Sequence, residues 1–391
     1  VLYFSLIPFY GFDMRKRKEL RHTYGFDEVA LVPGDVTINP DQADVSLTIG
    51  EHKLDIPILA SAMDGVVDPK FAVALGKLGG LAVLNLDGVQ TRYENPDEVL
   101  QAISEASAEA VTSIIQRAYK EPVKDKLVGQ RIEAIKDGGV VCAASLTPAH
   151  TKKIAPIAVE AGLDVLVVAS TVTTARHISK SYRGLIFSEL CEQISVPVIV
   201  GNCVSYSAAM ELMKTGVAGF LVGVGPGAAC TTREVLGVGV PQVSATMDCA
   251  AARDDYLDET GRYVTLITDG GLRTGGDICK SIASGADGVM MGSPFARTTE
   301  APGRGCHWGM ATPDMNLPRG TRIRVGVNVG LEPLLYGPTS MTDGTENLVG
   351  ALKTCMGVCG AHNTKEMHNT EVVVATSIKT EGKLWQLAGL H

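Results

Sequence analysis

Short apolar runs rich in β-branched residues recur along the chain, and they alternate with longer segments whose apolar positions fall at helical spacing. The predicted strands are Ile58–Ala60, Leu81–Leu84, Val140–Ala143, Val165–Val168, Val198–Val200, Phe220–Val222, Val264–Ile267 and Val289–Met291. None alternates with polar residues, which fits a sheet covered on both faces. Several are preceded by the same joint. Ala161-Gly162-Leu163-Asp164, Thr215-Gly216-Val217-Ala218 and Ser284-Gly285-Ala286-Asp287 each put a glycine where a helix ends, followed by a turn into a strand. Repetition of that joint marks β/α units, and the strand total is what a closed parallel barrel needs. The expected fold is a single-domain (β/α)8 TIM barrel over residues 21–391. A doubly wound dinucleotide fold is disfavoured because Gly223-x-Gly225-x-Gly227 has the wrong spacing and leads to a cysteine.

Polar residues follow the strands: Ser61, Asn85, Ser170-Thr171, Gly201-Asn202, Asp269-Gly270-Gly271 and Gly292-Ser293. In a barrel these share the rim where active-site groups collect. The most unusual loop is Gly223-Val224-Gly225-Pro226-Gly227-Ala228-Ala229-Cys230-Thr231-Thr232-Arg233. Its glycines fit a tight turn with something large close to the backbone, and Cys230 then lies among hydroxyls and a cation, the setting of a nucleophile. A cysteine in isolation is more often a small buried hydrophobe; its flanks reverse that reading. Asp269-Gly270-Gly271 and Gly292-Ser293 close the last two strands, where backbone N–H groups of such barrels cradle phosphate. Asp269 suits a vicinal diol, since a carboxylate accepts two hydrogen bonds.

Composition narrows the partners. With 391 residues, 45% of them hydrophobic, the chain can bury a large core, and a net charge of −8 argues against a nucleic-acid or anionic-membrane surface. The nine cysteines include no Cys-x-x-Cys pair, so reduced thiols and a cytoplasmic location are expected. Residues 1–20 are apolar but broken by Pro8 and Gly11 and carry no cleavage signature; they are read as an extension outside the fold.

The loop Gly225–Arg233 resembles the catalytic loop of the IMP dehydrogenase/GMP reductase family, and Gly237-Val238-Gly239-Val240-Pro241-Gln242 continues it. Tyr24–Pro33, Ser61-Ala62-Met63-Asp64, Thr268–Leu272, Met291-Gly292-Ser293 and Leu352–Gly357 look like further landmarks of that family, in order. Between the second and third strands, where long members insert two CBS modules, this chain has only Val89–Gly139, enough for helices. The pattern is most similar to the short IMP dehydrogenase-related subgroup.

The resemblance implies that Cys230 attacks C2 of IMP, that hydride passes to NAD, and that water then releases XMP. It assigns Thr232 to that water, and backbone carbonyls of Gly225, Gly227 and Cys230 to a potassium ion. Ser61, Met63, Asp269, Gly271, Gly292, Ser293, His307, Met310 and Ala311 would bind the nucleotide. Ser170, Thr171, Asn202, Gly223 and Gly225 would border the cofactor. A homotetramer and a short flap around 305–335 are also implied.

Some positions depart from the family pattern. Ala169 stands where an aspartate is usual, Ala228 where a serine is, His307 where a tyrosine often is, and Arg319 where a Glu or Gln contacts the base or the threonine. Arg319 is nevertheless counted with Cys230 and Thr232 in the catalytic set, although arginine is no ordinary base at neutral pH. GMP reductase with NADPH is the competing enzyme reading, a silent nucleotide-binding homologue another, and a flavin-dependent barrel a further one.

Overall fold

The computed structural model describes residues 20–178, 184–309 and 311–375. Parallel strands β1 (Ile58–Ala60), β2 (Leu81–Asn85), β3 (Ala143–Leu146), β4 (Val165–Ala169), β5 (Val198–Cys203), β6 (Gly219–Val222), β7 (Thr265–Asp269) and β8 (Gly288–Met291) close a barrel in chain order. Registers such as Leu59 beside Leu81 and Met290 beside Leu59 close the ring through β8 and β1.

Runs that read as uniformly apolar divide between two layers because successive side chains point to opposite faces. Leu59, Val83, Val167, Ile199, Leu221, Ile267 and Met290 fill the barrel, while Ile58, Leu84, Val168, Val200, Phe220 and Val289 pack outward on the helices. A hairpin of Leu47–Ile49 and His52–Leu54 plugs one end, where Leu47, Ile49 and Leu54 join the inner cluster. That plug leaves the other rim, at the strand C-termini, as the place for a cavity.

Seven strands lie where the pattern predicts them. The third does not: β3 covers Ala143–Leu146 rather than Val140–Ala143. The helix Asp125–Lys136 ends in a turn whose Gly139 has φ +73°, and Val140 then packs against Gly76 of the helix Pro69–Lys77. Those β-branched residues serve the approach, and small residues enter the barrel.

Between β2 and β3 lie the helices Pro96–Glu105, Val111–Ala118 and Asp125–Lys136, with no inserted domain. A further short strand, Val372–Val374, pairs antiparallel with Val29–Leu31 to join the two ends of the described fold. After β8, Cys306–Trp308 pairs with Arg322–Arg324, so the flap is a hairpin with residues 309 and 311–320 toward its tip. Arg322 and Arg324 donate to the carbonyls of Ile103, Ser104 and Ala106 at the end of the helix Pro96–Glu105, anchoring the hairpin to the helical segment.

Candidate active site

A cavity of about 520 Å³ opens at the C-terminal rim, floored by Val83, Val167, Leu221 and Met290. That size suits a small-molecule site. Among the predicted residues, Ser61, Met63, Ser170, Thr171, Asn202, Gly223, Gly225, Gly227, Cys230, Asp269, Gly271, Gly292, Ser293, His307, Ala311 and Arg319 all line it. Thr232 lies behind the cysteine, and Met310 falls outside the described residues.

The cysteine loop leaves β6 at Gly223, where any Cβ would meet the Asp269 carbonyl at 2.3 Å. Only glycine fits there. Gln242 is buried and donates to the carbonyls of Val222, Asp269 and Gly270, locking the ends of β6 and β7 together. The role of Gln242 was not legible in the sequence, where its place at a helix start directly after Pro241 was the only signal. Arg233, expected as a cation near the thiol, instead donates to the carbonyls of Val224 and Val240 and braces the loop.

Cys230 is half-buried, and its Sγ stands 3.0 Å from Oγ1 of the fully buried Thr232. The flap tip is stitched to this loop. The N–H of Thr231 donates to the Arg319 carbonyl at 2.9 Å, and that of Thr321 to the Ala229 carbonyl at 2.9 Å, flanking the Cys230–Gly320 bridge. The Gly227 carbonyl accepts from the Cys230 N–H within the same turn.

At the neighbouring strand ends, Asn202 donates to Asp269 at 2.8 Å. Burial pushes the Asp269 carboxyl up to about 6, with the Asn202 hydrogen bond opposing the shift. Gly270 and Gly271 both have φ near +80°, and a Cβ on Gly292 would meet the Met63 sulfur at 2.9 Å, so both turns expose main chain to the cavity. Ser293 Oγ lies 2.9 Å from Nε2 of the buried His307, whose Nδ1 has no partner among the described residues. Burial lowers the His307 pKa to about 4, keeping the ring neutral at physiological pH.

On the far side, Ser170 spends its hydroxyl on Val172 and Thr173. Asp87, unpredicted, lines the cavity and holds His150 Nδ1 at 2.5 Å and the Thr147 N–H at 2.7 Å. The carboxylate raises the His150 pKa. Behind this side Asp64 accepts from Tyr119, Asn85 and the Val89 N–H, and Trp308 of the flap donates to Tyr119 at 3.0 Å. A carboxylate four residues past a strand is too common a feature for sequence to have flagged that network.

A closed parallel barrel whose rim gathers a cysteine loop and two glycine turns defines a class of small-molecule enzymes, and the comparisons specify it further. The family model for the IMP dehydrogenase / GMP reductase domain matches residues 23–383. An uncharacterized oxidoreductase of Mycolicibacterium smegmatis is 35% identical, covering 91% of this chain and 97% of its own. The inosine-5'-monophosphate dehydrogenase of Methanocaldococcus jannaschii is 28% identical, covering 90% and 92%. The crystal structure of an IMP dehydrogenase/GMP reductase-like protein from Corynebacterium glutamicum superposes with a TM-score of 0.87 at 35% identity, covering 92% of this chain and 96% of that one. The chain belongs to the IMP dehydrogenase/GMP reductase family. Among the described residues no helix is long and apolar enough to cross a membrane.

Proposed function

We propose that the protein is an IMP dehydrogenase that oxidises IMP to XMP with NAD, in guanine nucleotide biosynthesis. The observation that carries this reading is the cavity-lining sulfur of Cys230, 3.0 Å from the Thr232 hydroxyl, on a rim shared with Asp269, Gly271, Gly292 and Ser293. Asp269 accepts from the ribose diol, the N–H groups of the glycine turns with Ser293 and neutral His307 hold the phosphate, and Met63 borders the base. Main chain at Ala311 completes the base contacts.

Cys230 as thiolate adds to C2 of the purine, and the C2–H bond breaks with its electron pair leaving as hydride, so a thioimidate joins sulfur to C2. NAD supplies the hydride acceptor, bordered by Ser170, Thr171, Asn202, Gly223 and Gly225. Water, positioned by Thr232, then adds to C2. The Cys230 thiolate leaves, and XMP is released. The carbonyls of Gly225, Gly227 and Cys230 form an all-oxygen donor set on one loop, suited to a potassium ion and not to a transition metal. Arg319 lines the same cavity as a fixed cation rather than a base. By the resemblance, the working form is a cytoplasmic homotetramer.

GMP reductase is the reading to separate from this one, because the resemblance implies an Arg-Tyr pair on the flap that activates water in dehydrogenases, and the short flap offers none in its described residues. The test is one preparation assayed with IMP and NAD and, separately, with GMP and NADPH. Turnover is expected only in the first arm. In that arm Cys230→Ala should lower kcat by more than about 10³-fold while leaving IMP affinity within a fewfold, since the ribose and phosphate contacts lie elsewhere. Turnover confined to GMP and NADPH, or an active Ala variant, contradicts the proposal.

A further inference from the structure

The charged side chains that line the cavity are Asp87, Asp269, Arg273 and Arg319. The first three are engaged: Asp87 by His150, Asp269 by Asn202, and Arg273 by Asp27 and Asp277. Arg319 differs. Its carbonyl is held by the Thr231 N–H, yet its guanidinium makes no hydrogen bond or ion pair with a described residue. The exposed Asp314 on the outer turn feels its charge without bonding it. A donor-only cation therefore lines the same cavity as the sulfur, its main chain held against the cysteine loop and its hydrogen-bonding capacity unspent among the described residues.

We propose that Arg319 sets which substituent at purine C2 the site accepts, selecting an oxygen over an amine. The inference rests on the reading above for one point, that the sulfur faces C2. A guanidinium carries five N–H donors and no acceptor. XMP presents a 2-oxo acceptor there, on a ring that readily loses a proton, so attraction and hydrogen bonding agree. GMP presents a 2-amino donor, and two donors facing each other out of water leave both unsatisfied. IMP carries only hydrogen at C2. Arg319 thus contributes little to binding IMP and acts as oxygen arrives at that carbon, where it stabilises the negative charge that water addition develops. A carboxylate at the same position would invert the preference.

The experiment is calorimetric titration of the full chain with XMP and with GMP, for wild type and for Arg319→Gln, Arg319→Lys and Arg319→Glu. Wild type should bind XMP at least about tenfold tighter than GMP, the size expected when a built donor meets its acceptor. Arg319→Gln should lose about tenfold in XMP affinity with GMP nearly unchanged, Arg319→Lys should keep part of the XMP preference, and Arg319→Glu should favour GMP. XMP and GMP weakening together, or neither changing, overturns the inference. The two ideas fail separately. If wild type oxidises IMP but selectivity ignores residue 319, only the inference falls. If selectivity follows residue 319 but IMP and NAD give no turnover, only the assigned reaction falls.

Discussion

Asp269 illustrates how one side chain can be both costly and useful. Its carboxyl, raised to about 6 by burial, is held by a single donor, Asn202, which leaves acceptor capacity for a ligand diol. In the proposed nucleotide complex the ribose hydroxyls would donate to the ionised form. IMP affinity should therefore weaken as pH falls through about 6, and Asp269→Asn should lower affinity and remove that part of the profile. The nucleotide phosphate also titrates near 6, so the step that survives in Asp269→Asn belongs to the ligand. Titrations across pH 5 to 8 with both proteins check this, and identical profiles would remove Asp269 from nucleotide recognition. That Cys230, Asp269 and the glycine turns would meet at one rim was legible in the sequence because the signals are local: a strand end, a turn, a reactive group. Arg233 was misread for the same reason. Adjacency in sequence suggested a cation near the thiol, while the guanidinium reaches back to carbonyls of its own loop.

At the scale of elements, the flap shows what sequence could not supply. Its hairpin depends on contacts to the segment between β2 and β3, roughly two hundred residues away: Arg322 on the Ile103 and Ala106 carbonyls, and Trp308 on Tyr119. Tyr119 in turn donates to Asp64, whose carboxyl burial raises to about 6 despite that bond. A carboxyl whose folded pKa lies above its unfolded value stabilises the fold fully below about pH 4, and that contribution is lost as pH rises through about 6. The stability difference between wild type and Asp64→Asn should accordingly fall between pH 4 and 7. Urea unfolding at several pH values measures it; a difference that grows with pH would show the carboxylate to be the favoured form. The misplaced third strand has a related cause. Periodicity ranks Val140 and Val141 as strand residues, but the distance from the Gly139 turn to the barrel decides which residues pair, and that distance depends on packing against another helix.

For the whole molecule, the division between a plugged end and a working rim governs how substitutions spread. Strand order and barrel closure followed from repeated β/α joints, whereas the plug, a pair of short polar-faced strands ahead of β1, carried no comparable signal. Ile49 is fully buried there against the inner cluster. Ile49→Ala should cost about 2–5 kcal/mol of stability, as expected for a truncated core side chain, while leaving KM for IMP unchanged. Denaturant melts and steady-state kinetics on one variant suffice, and a changed KM with little loss of stability would mean that the two ends are coupled.

The seam between Thr231 and Arg319 has a consequence for how such a catalyst could be re-tuned. Because peptide groups alone make that seam, the residue at 319 can be exchanged for one of opposite sign while the sulfur keeps its place. On the proposed role of Arg319, neighbouring chemistries on one purine carbon would then lie a codon apart, with nothing in the scaffold needing to be rebuilt between them.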